Sequence, residues 1–345
     1  MASCGESPVR SPPAGQATLD DVFSVEVVLE LEEDAADSIA DIGAFAERAN
    51  GGFLVADRLL PRVRSYAEDG RLEAAFGRFG EGPFEFRRID GVAEGSSGHV
   101  IVVDRRLQGL TYLTQDLQPD RQVSLPGVPY NVRSMNADLV LHMQITDGDE
   151  GFSRLLRRPA LVHRLTGGAV AWSSYQFPFV QIERPYWGSY VRFPMAVAGD
   201  SVFVMSSLRY PVSILNGSGD TVGTMGVPSA SFRPIPVLER GAFSDPRDYT
   251  ALSDLFASFD VIDRVDAVGS RLVLTQARFD DTRPTSFRPL HSSLEVYDRR
   301  TGAKLYEDVP LPAGSRVLGG GRFLYLLMDR DFPPWRIAKL RLRED

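Results

Sequence analysis

One stretch of this chain occurs twice, and no other feature narrows the fold as much. Ile42-Gly43-Ala44-Phe45-Ala46-Glu47, followed by Gly51 to Arg58, lines up with Ile89-Asp90-Gly91-Val92-Ala93-Glu94, followed by Gly98 to Arg105. The offset is 47 residues, both from Ile42 to Ile89 and from Asp57 to Asp104. A unit of roughly 40–50 residues made of short strands cannot bury its apolar faces alone, so it stacks into a propeller or solenoid. In the first copy the runs Phe53–Asp57, Arg62–Tyr66 and Arg71–Phe76 are separated by turn chemistry such as Glu68-Asp69-Gly70, the pattern of an antiparallel meander.

The later units diverge but keep an apolar second strand. It recurs at Phe53, Val100, Leu139, Val202, Leu272 and Phe323, with spacings of 47, 39, 63, 70 and 51. After the sixth run only one further strand pattern follows, Trp335 to Leu342, which leaves that unit one strand short. The β-branched segment Val22–Leu31 lies before the first unit and has no partner of its own. These counts predict an all-β, six-bladed propeller of four-stranded antiparallel blades, closed by the N-terminal strand. Closure of that kind removes exposed sheet edges. The expected organisation is a flexible tether over residues 1–19 and a single propeller domain over 20–345.

Between the first two units runs Gly77-Arg78-Phe79-Gly80-Glu81-Gly82-Pro83-Phe84-Glu85-Phe86. With Arg87 to Ala93 it resembles the Gly-Glu-Gly-Pro-x-Glu-Phe linker of NHL-like six-bladed β-propellers from bacterial cell envelopes. The resemblance covers residues 40–125 and departs at Phe84, where glycine is common. It implies the same propeller fold and a cell-envelope setting; the function of that family is largely undefined.

A net charge of −8 argues against a nucleic-acid partner, which selects basic surfaces. No apolar run reaches the ~18–20 residues that a membrane helix needs. The single cysteine, Cys4, rules out an intrachain disulfide. Met1-Ala2-Ser3-Cys4-Gly5 resembles the end of a bacterial lipoprotein signal, so Cys4 is a candidate lipidation site ahead of a Pro-, Ser- and Gly-rich tether. The expected location is the periplasmic side of the cell envelope, with a lipid anchor and no membrane span; a cytoplasmic chain with a chance cysteine is the second reading.

Length in excess of the repeat collects in four segments, 145–159, 175–190, 228–259 and 278–291, all on the face where blades are joined. Long loops inside a compact domain carry function. The starts of the inner strands meet the central channel at this face, bringing Arg88, Asp90, Asn131, Arg133, Arg192, Asp263, Arg264 and Arg316 toward the axis. Converging guanidinium groups repel unless carboxylates or an anionic ligand balance them. The arrangement therefore reads either as a site for a carboxylate, phosphate or acidic sugar, or as a structural network with Asp41, Asp90 and Asp263. Phe177, Phe179, Tyr186, Trp187 and Tyr190, with Trp335 nearby, form a second candidate: an interaction surface, or the core of a lid.

Enzyme signatures are thin. The four histidines, His99, His142, His163 and His291, have no metal-ligand spacing, and no nucleophile elbow, P-loop or dinucleotide fingerprint occurs. The favoured reading is a monomeric, non-enzymatic module that binds a protein partner or a small anionic or carbohydrate ligand, without a cofactor. The alternative is an axial metal-dependent hydrolase or lyase resembling the gluconolactonase and paraoxonase propellers. There Asp90, Asn131 and Asp263 would contribute to a Ca2+ site with arginines beside it.

Overall fold

The computed structural model describes residues 16–33, 38–145, 160–176, 193–236, 254–255, 257–279, 289–329 and 333–343. A one-turn helix, α1 (Leu19–Val22), leads into β1 (Phe23–Glu30). Blade 1 is β2 (Ile42–Glu47), β3 (Phe53–Asp57), β4 (Arg62–Tyr66) and β5 (Leu72–Phe76). Blade 2 repeats it as β6 (Ile89–Glu94), β7 (Val100–Asp104), β8 (Gly109–Leu113) and β9 (Pro119–Ser124). Blade 3 is β10 (Gly127–Met135), β11 (Asp138–Ile145), β12 (Ala160–Thr166) and β13 (Ala169–Gln176). Blade 4 is β14 (Met195–Ala198), β15 (Ser201–Ser206), β16 (Arg209–Leu215) and β17 (Thr221–Met225). Blade 5 is β18 (Asp260–Val268), β19 (Arg271–Phe279), β20 (Pro289–Asp298) and β21 (Lys304–Pro310). Blade 6 holds β22 (Arg316–Gly320), β23 (Leu324–Leu327) and β24 (Arg336–Leu342), and its order β1-β24-β23-β22 places the N-terminal strand outermost. The six-bladed ring and its closure are therefore as the sequence predicts.

The second strands read as unbroken apolar runs because both of their faces are covered. β3 and β7 are buried at every position, each lying between two neighbouring blades. Six apolar clusters fill the six gaps between blades. β1 serves two of them, with Phe23 in the gap between blades 5 and 6 and Leu29 in the gap between blades 6 and 1. Trp335 also belongs to the latter gap. It is 3% exposed, and its Nε1 donates to Ile39 O at 3.1 Å. The expectation that it lies on an interaction surface is corrected by that burial: an indole goes inside when its N–H finds a partner there.

The linker between blades 1 and 2 shows why its residues are spaced as they are. Glu85 folds back to accept Gly82 N at 2.8 Å and to pair with Arg78 at 2.7 Å, and a Cβ on Gly80 would collide with its carboxylate. Phe84 takes φ +58°, the left-handed region, which explains why glycine suits this position and sets a strain of roughly 1 kcal/mol on the phenylalanine. Phe86 then drops into the gap between blades 1 and 2 with no exposed surface.

The inner strands β2, β6, β10, β14, β18 and β22 neighbour one another around the axis. Five of them carry a β-bulge near the start, at Gly43, Asp90, Tyr130, Asp263 and Leu318. An inserted residue re-aims the side chains on either side of it, and bulges of this kind gather at rims and sites.

Candidate functional site

Where the inner strands begin, the ends of the second strands are held by repeated aspartates. Asp57 is fully buried and accepts Ala40 N at 2.6 Å and Leu59 N and Leu60 N at 2.9 Å. Asp104 does the same in blade 2 with Arg87 N, Arg88 N, Arg106 N and Leu107 N. Each carboxylate ties the turn after its own strand to the segment that leads into the inner strand. The Asp-Arg pairs of the repeat thus divide their labour. Asp57 and Asp104 brace the mouth of the channel, and the arginines that follow them reach into it. Arg58 pairs with Asp41, and the Arg105 guanidinium lies 4.5 Å over the Tyr130 ring.

Of the axial residues expected from sequence, those described lie within electrostatic reach of one another. In blade 2, Arg88 Nε donates to Asp90 Oδ1 at 3.0 Å, while Asp90 Oδ2 is buried without a partner. Burial raises the Asp90 carboxyl above its ordinary value, against the pull of Arg88, Arg105 and Arg58. In blade 3, Asn131 Oδ1 accepts Arg133 Nη1 at 2.6 Å, and the same nitrogen donates to Val132 O at 2.9 Å. In blade 5, Arg264 grips Asp266 with two bonds of 2.9 and 2.8 Å, and Gly320 N adds a third to the same carboxylate. Burial works against the charge on Asp266, but Arg264 and then Arg133 overcome it and hold the carboxyl below its usual range. In blade 6, Arg316 Nη2 donates to Ile42 O, and its Nε is buried without a partner.

Arg133 and Arg316 are the informative members. Neither has a carboxylate within ion-pair distance among the described residues; their acceptors are an amide and backbone carbonyls. Burial and the like charge of Arg264 lower Arg133 to about 10, with Asp266 opposing. Burial also lowers Arg316; Asp41 and Asp263 oppose the shift, and Arg58 and Arg264 add to it. Asp263, on its bulge, acts on both Arg264 and Arg316. Arg264 keeps 23% of its side chain exposed.

Four members of the site went unread in the sequence: Arg58, Arg105, Tyr130 and Asp266. Arg58 and Arg105 hold identical positions in the repeat, the one signal that marks them as a pair. Asp266 follows Arg264 by two residues, the period that keeps side chains on one side of a strand. Tyr130 sits on a bulge that no residue type announces. It stacks on His142 with centroids 4.8 Å apart, and burial, then His163 and Arg105, lower that histidine to about 3, leaving a neutral ring. Arg192, Phe177, Phe179, Tyr186, Trp187, Tyr190 and Cys4 lie outside the described residues, as does most of the four long loops.

Among the described residues, no group of three or more His, Cys, Asp or Glu side chains is placed to hold a metal ion. Two of the three proposed Ca2+ ligands, Asp90 and Asn131, already bond an arginine, and Asp263 acts on two more. Among the described residues, Arg58, Arg88, Arg105, Arg133, Arg264 and Arg316 meet Asp41, Asp90, Asp263 and Asp266 around the axis, while the buried Asp57 and Asp104 carboxylates are engaged by backbone N–H groups.

No family model matches the chain, and no curated protein matches it. Among solved structures, a Bacteroides fragilis protein whose name calls it exported has a TM-score of 0.65 at 11% identity, over 95% of this chain and 97% of its own. A member of the DUF4221 family from Bacteroides vulgatus also gives 0.65 at 11% identity, over 94% and 98%. Virginiamycin B lyase from Staphylococcus aureus gives 0.50 at 12% identity, over 93% and 100%. The likeness is one of fold. It agrees with the six four-stranded blades. Among the described residues no helix is long and apolar enough to cross a membrane.

Proposed function

We propose that this chain is a non-enzymatic binding propeller that captures an anion at the axial mouth on the face where the blades are joined. The observation that carries the reading is the pair Arg133 and Arg316, two half-buried guanidinium groups supported by neutral acceptors where a carboxylate partner would ordinarily stand. Removing cations from water without full pairing is costly, and an anionic ligand would supply the missing partner through bidentate bonds. Carboxylates, phosphates and acidic sugars all offer the required oxygen pair. The axial hydrolase reading is weaker because the arginines that bind Asp90 and Asn131 would repel a cation.

Glucuronate, citrate and inorganic phosphate are suitable probes for isothermal titration calorimetry. Arg133→Gln and Arg316→Gln should each weaken the probe that binds best by about 10- to 100-fold, the value of one charge-assisted hydrogen bond. Equal affinity in wild type and both variants, or no binding of any probe, would sink the reading. The pH dependence has a definite sign. Asp90 is raised, so acidification neutralises it first and removes a competing negative charge; Arg88, Arg105 and Arg58 beside it stay charged. Glucuronate should therefore bind more tightly as pH falls toward the carboxylate range, and Asp90→Asn should show the tighter affinity at every pH.

The proposed setting is the cell envelope, on the periplasmic side. Its supports are the Ala2-Ser3-Cys4-Gly5 sequence, the NHL-like linker and the exported Bacteroides protein of like fold. Mass spectrometry of the protein from native membranes should show acyl groups on Cys4, and an unmodified thiol there would remove the anchor from the proposal.

A further inference from the structure

The rim of the same mouth carries an apolar patch that the anion site does not use. Leu59 is 65% exposed, Leu60 53% and Phe79 64%. Among the described residues, the other exposed large apolar side chains sit on or directly after the outermost strands: Val25, Val27 and Val28 on β1, Val170 on β13, Val222 and Val227 at β17, and Leu305 on β21. What sets Leu59, Leu60 and Phe79 apart is their place beside charged groups at the mouth, where exposed apolar surface marks an interaction site.

The patch is continuous with the arginines. Leu59 and Leu60 directly follow Arg58, whose charge acts on both Asp90 and Arg316 at the axis. The turn holding Leu60 and Pro61 rests on the start of the linker. Arg62 Nε donates to Gly77 O at 3.0 Å, and a Cβ on Gly77 would stand 3.0 Å from Pro61 O. Phe79 follows two residues later under the Arg87 guanidinium, 5.1 Å from its ring, and the next residue is Arg88 of the axial set. A path therefore runs outward from Arg316 and Arg58, over Leu59 and Leu60, to Phe79.

We infer that the ligand is an amphiphilic anion, with an acidic head at the axial arginines and an unbranched acyl chain lying across Leu59, Leu60 and Phe79. The inference rests on the anion-binding reading and specifies its substrate class. A peptide with an acidic end would need hydrogen bonds for its own backbone along this path. The turn does not offer its amides: Leu59 N and Leu60 N both donate to Asp57 Oδ1. An acyl chain has no such groups to satisfy, and its carboxylate head complements the axial arginines.

The test is calorimetric titration of the full chain with butyrate, hexanoate, octanoate and decanoate, each below its micellar concentration. Affinity should rise about two- to fourfold per added methylene, the increment for transferring a CH2 from water to an apolar surface. Leu60→Ser combined with Phe79→Ser should flatten that dependence; both side chains are exposed, so the fold tolerates the exchange. Arg133→Gln should weaken every member by the same factor. Butyrate binding with no chain-length dependence would overturn this inference and leave the anion site standing. Binding of none of the carboxylates, with glucuronate, citrate and phosphate also silent, would overturn both. Octanol binding as tightly as octanoate, or a short apolar peptide with a free C-terminal carboxylate outcompeting decanoate, would overturn the acyl-anion assignment.

Discussion

A chain that begins at Glu32 should show no cooperative unfolding transition and should elute as aggregate in size-exclusion chromatography. The segment removed holds α1 and β1, which carry little sequence but close the ring. Seven residues of β1 pair with β24, from Phe23 opposite Leu342 to Glu30 opposite Arg336. Leu31 N adds a bond to Trp335 O and Arg343 N one to Val22 O, both at 2.9 Å. Val22, Phe23, Leu29 and Leu31 lie at 1%, 1%, 7% and 3% exposure, in the two apolar gaps flanking blade 6. Burying four such side chains stabilises a fold by about 1.5–3 kcal/mol each, a sum that rivals the roughly 5–15 kcal/mol by which a whole domain is stable. Deletion would also leave β24 as a long unpaired edge, a template for association. Adding a peptide of residues 16–31 in trans should recover part of the monomer. A truncated chain with the urea midpoint of the full protein would refute the closure energetics.

Glu295→Ala should lower the stability of the propeller by about 3–5 kcal/mol in urea denaturation, more than any exposed ion pair could account for. Glu295 has no exposed surface. It accepts Tyr210 Oη at 2.7 Å, Tyr297 Oη at 2.5 Å, Gln276 Nε2 at 2.7 Å and Ser229 N at 3.0 Å, with Lys304 Nζ at 3.5 Å. Burial first, and the Glu295 charge next for Tyr210, push both tyrosine hydroxyls up and keep them as donors. The carboxylate thus joins the second and third strands of blade 5 to blade 4 and to the segment after it. Its removal strands several donors at once, and unpaired buried donors cost about 1–3 kcal/mol each where water cannot reach. Lys304 is spared, since it also reaches Glu307 at 3.2 Å. Glu295→Gln keeps the shape and should fall between alanine and wild type. A loss below 1 kcal/mol for the alanine variant would show that the gap between blades 4 and 5 admits water.

The architecture was legible because its dominant signal is physical and repeated. A second strand covered on both faces must be apolar throughout, so six such runs announced six blades even where spacing varied. Strand counting then identified Val22–Leu31 as the missing outer strand, because a propeller leaves no strand unpaired. The site was harder to read because side-chain direction along an inner strand depends on a bulge. The insertion at Asp90, Tyr130 and Asp263 aligns these three with one another and sets Arg88 level with Arg316. Counting from the repeat alone reaches the arginines of the inner strands and passes over Tyr130, Asp266 and the second-strand arginines Arg58 and Arg105. Trp335 misled for a different reason. It opens the last strand pattern, where sequence does not say which way the indole turns, and its packing and its bond to Ile39 O show that it turns into the gap between blades 6 and 1.

The double caps made by Asp57 and Asp104 bear on the thermodynamics of capture. Arg58 and Arg105 each leave the backbone one residue after a carboxylate that fixes both the turn and the neighbouring inlet. The conformational freedom of those backbones was given up when the protein folded, so a ligand arriving at the mouth has little left to immobilise there. Binding at blades 1 and 2 should then carry a small entropic penalty and leave the backbone where it stands, as in a socket whose walls have already set.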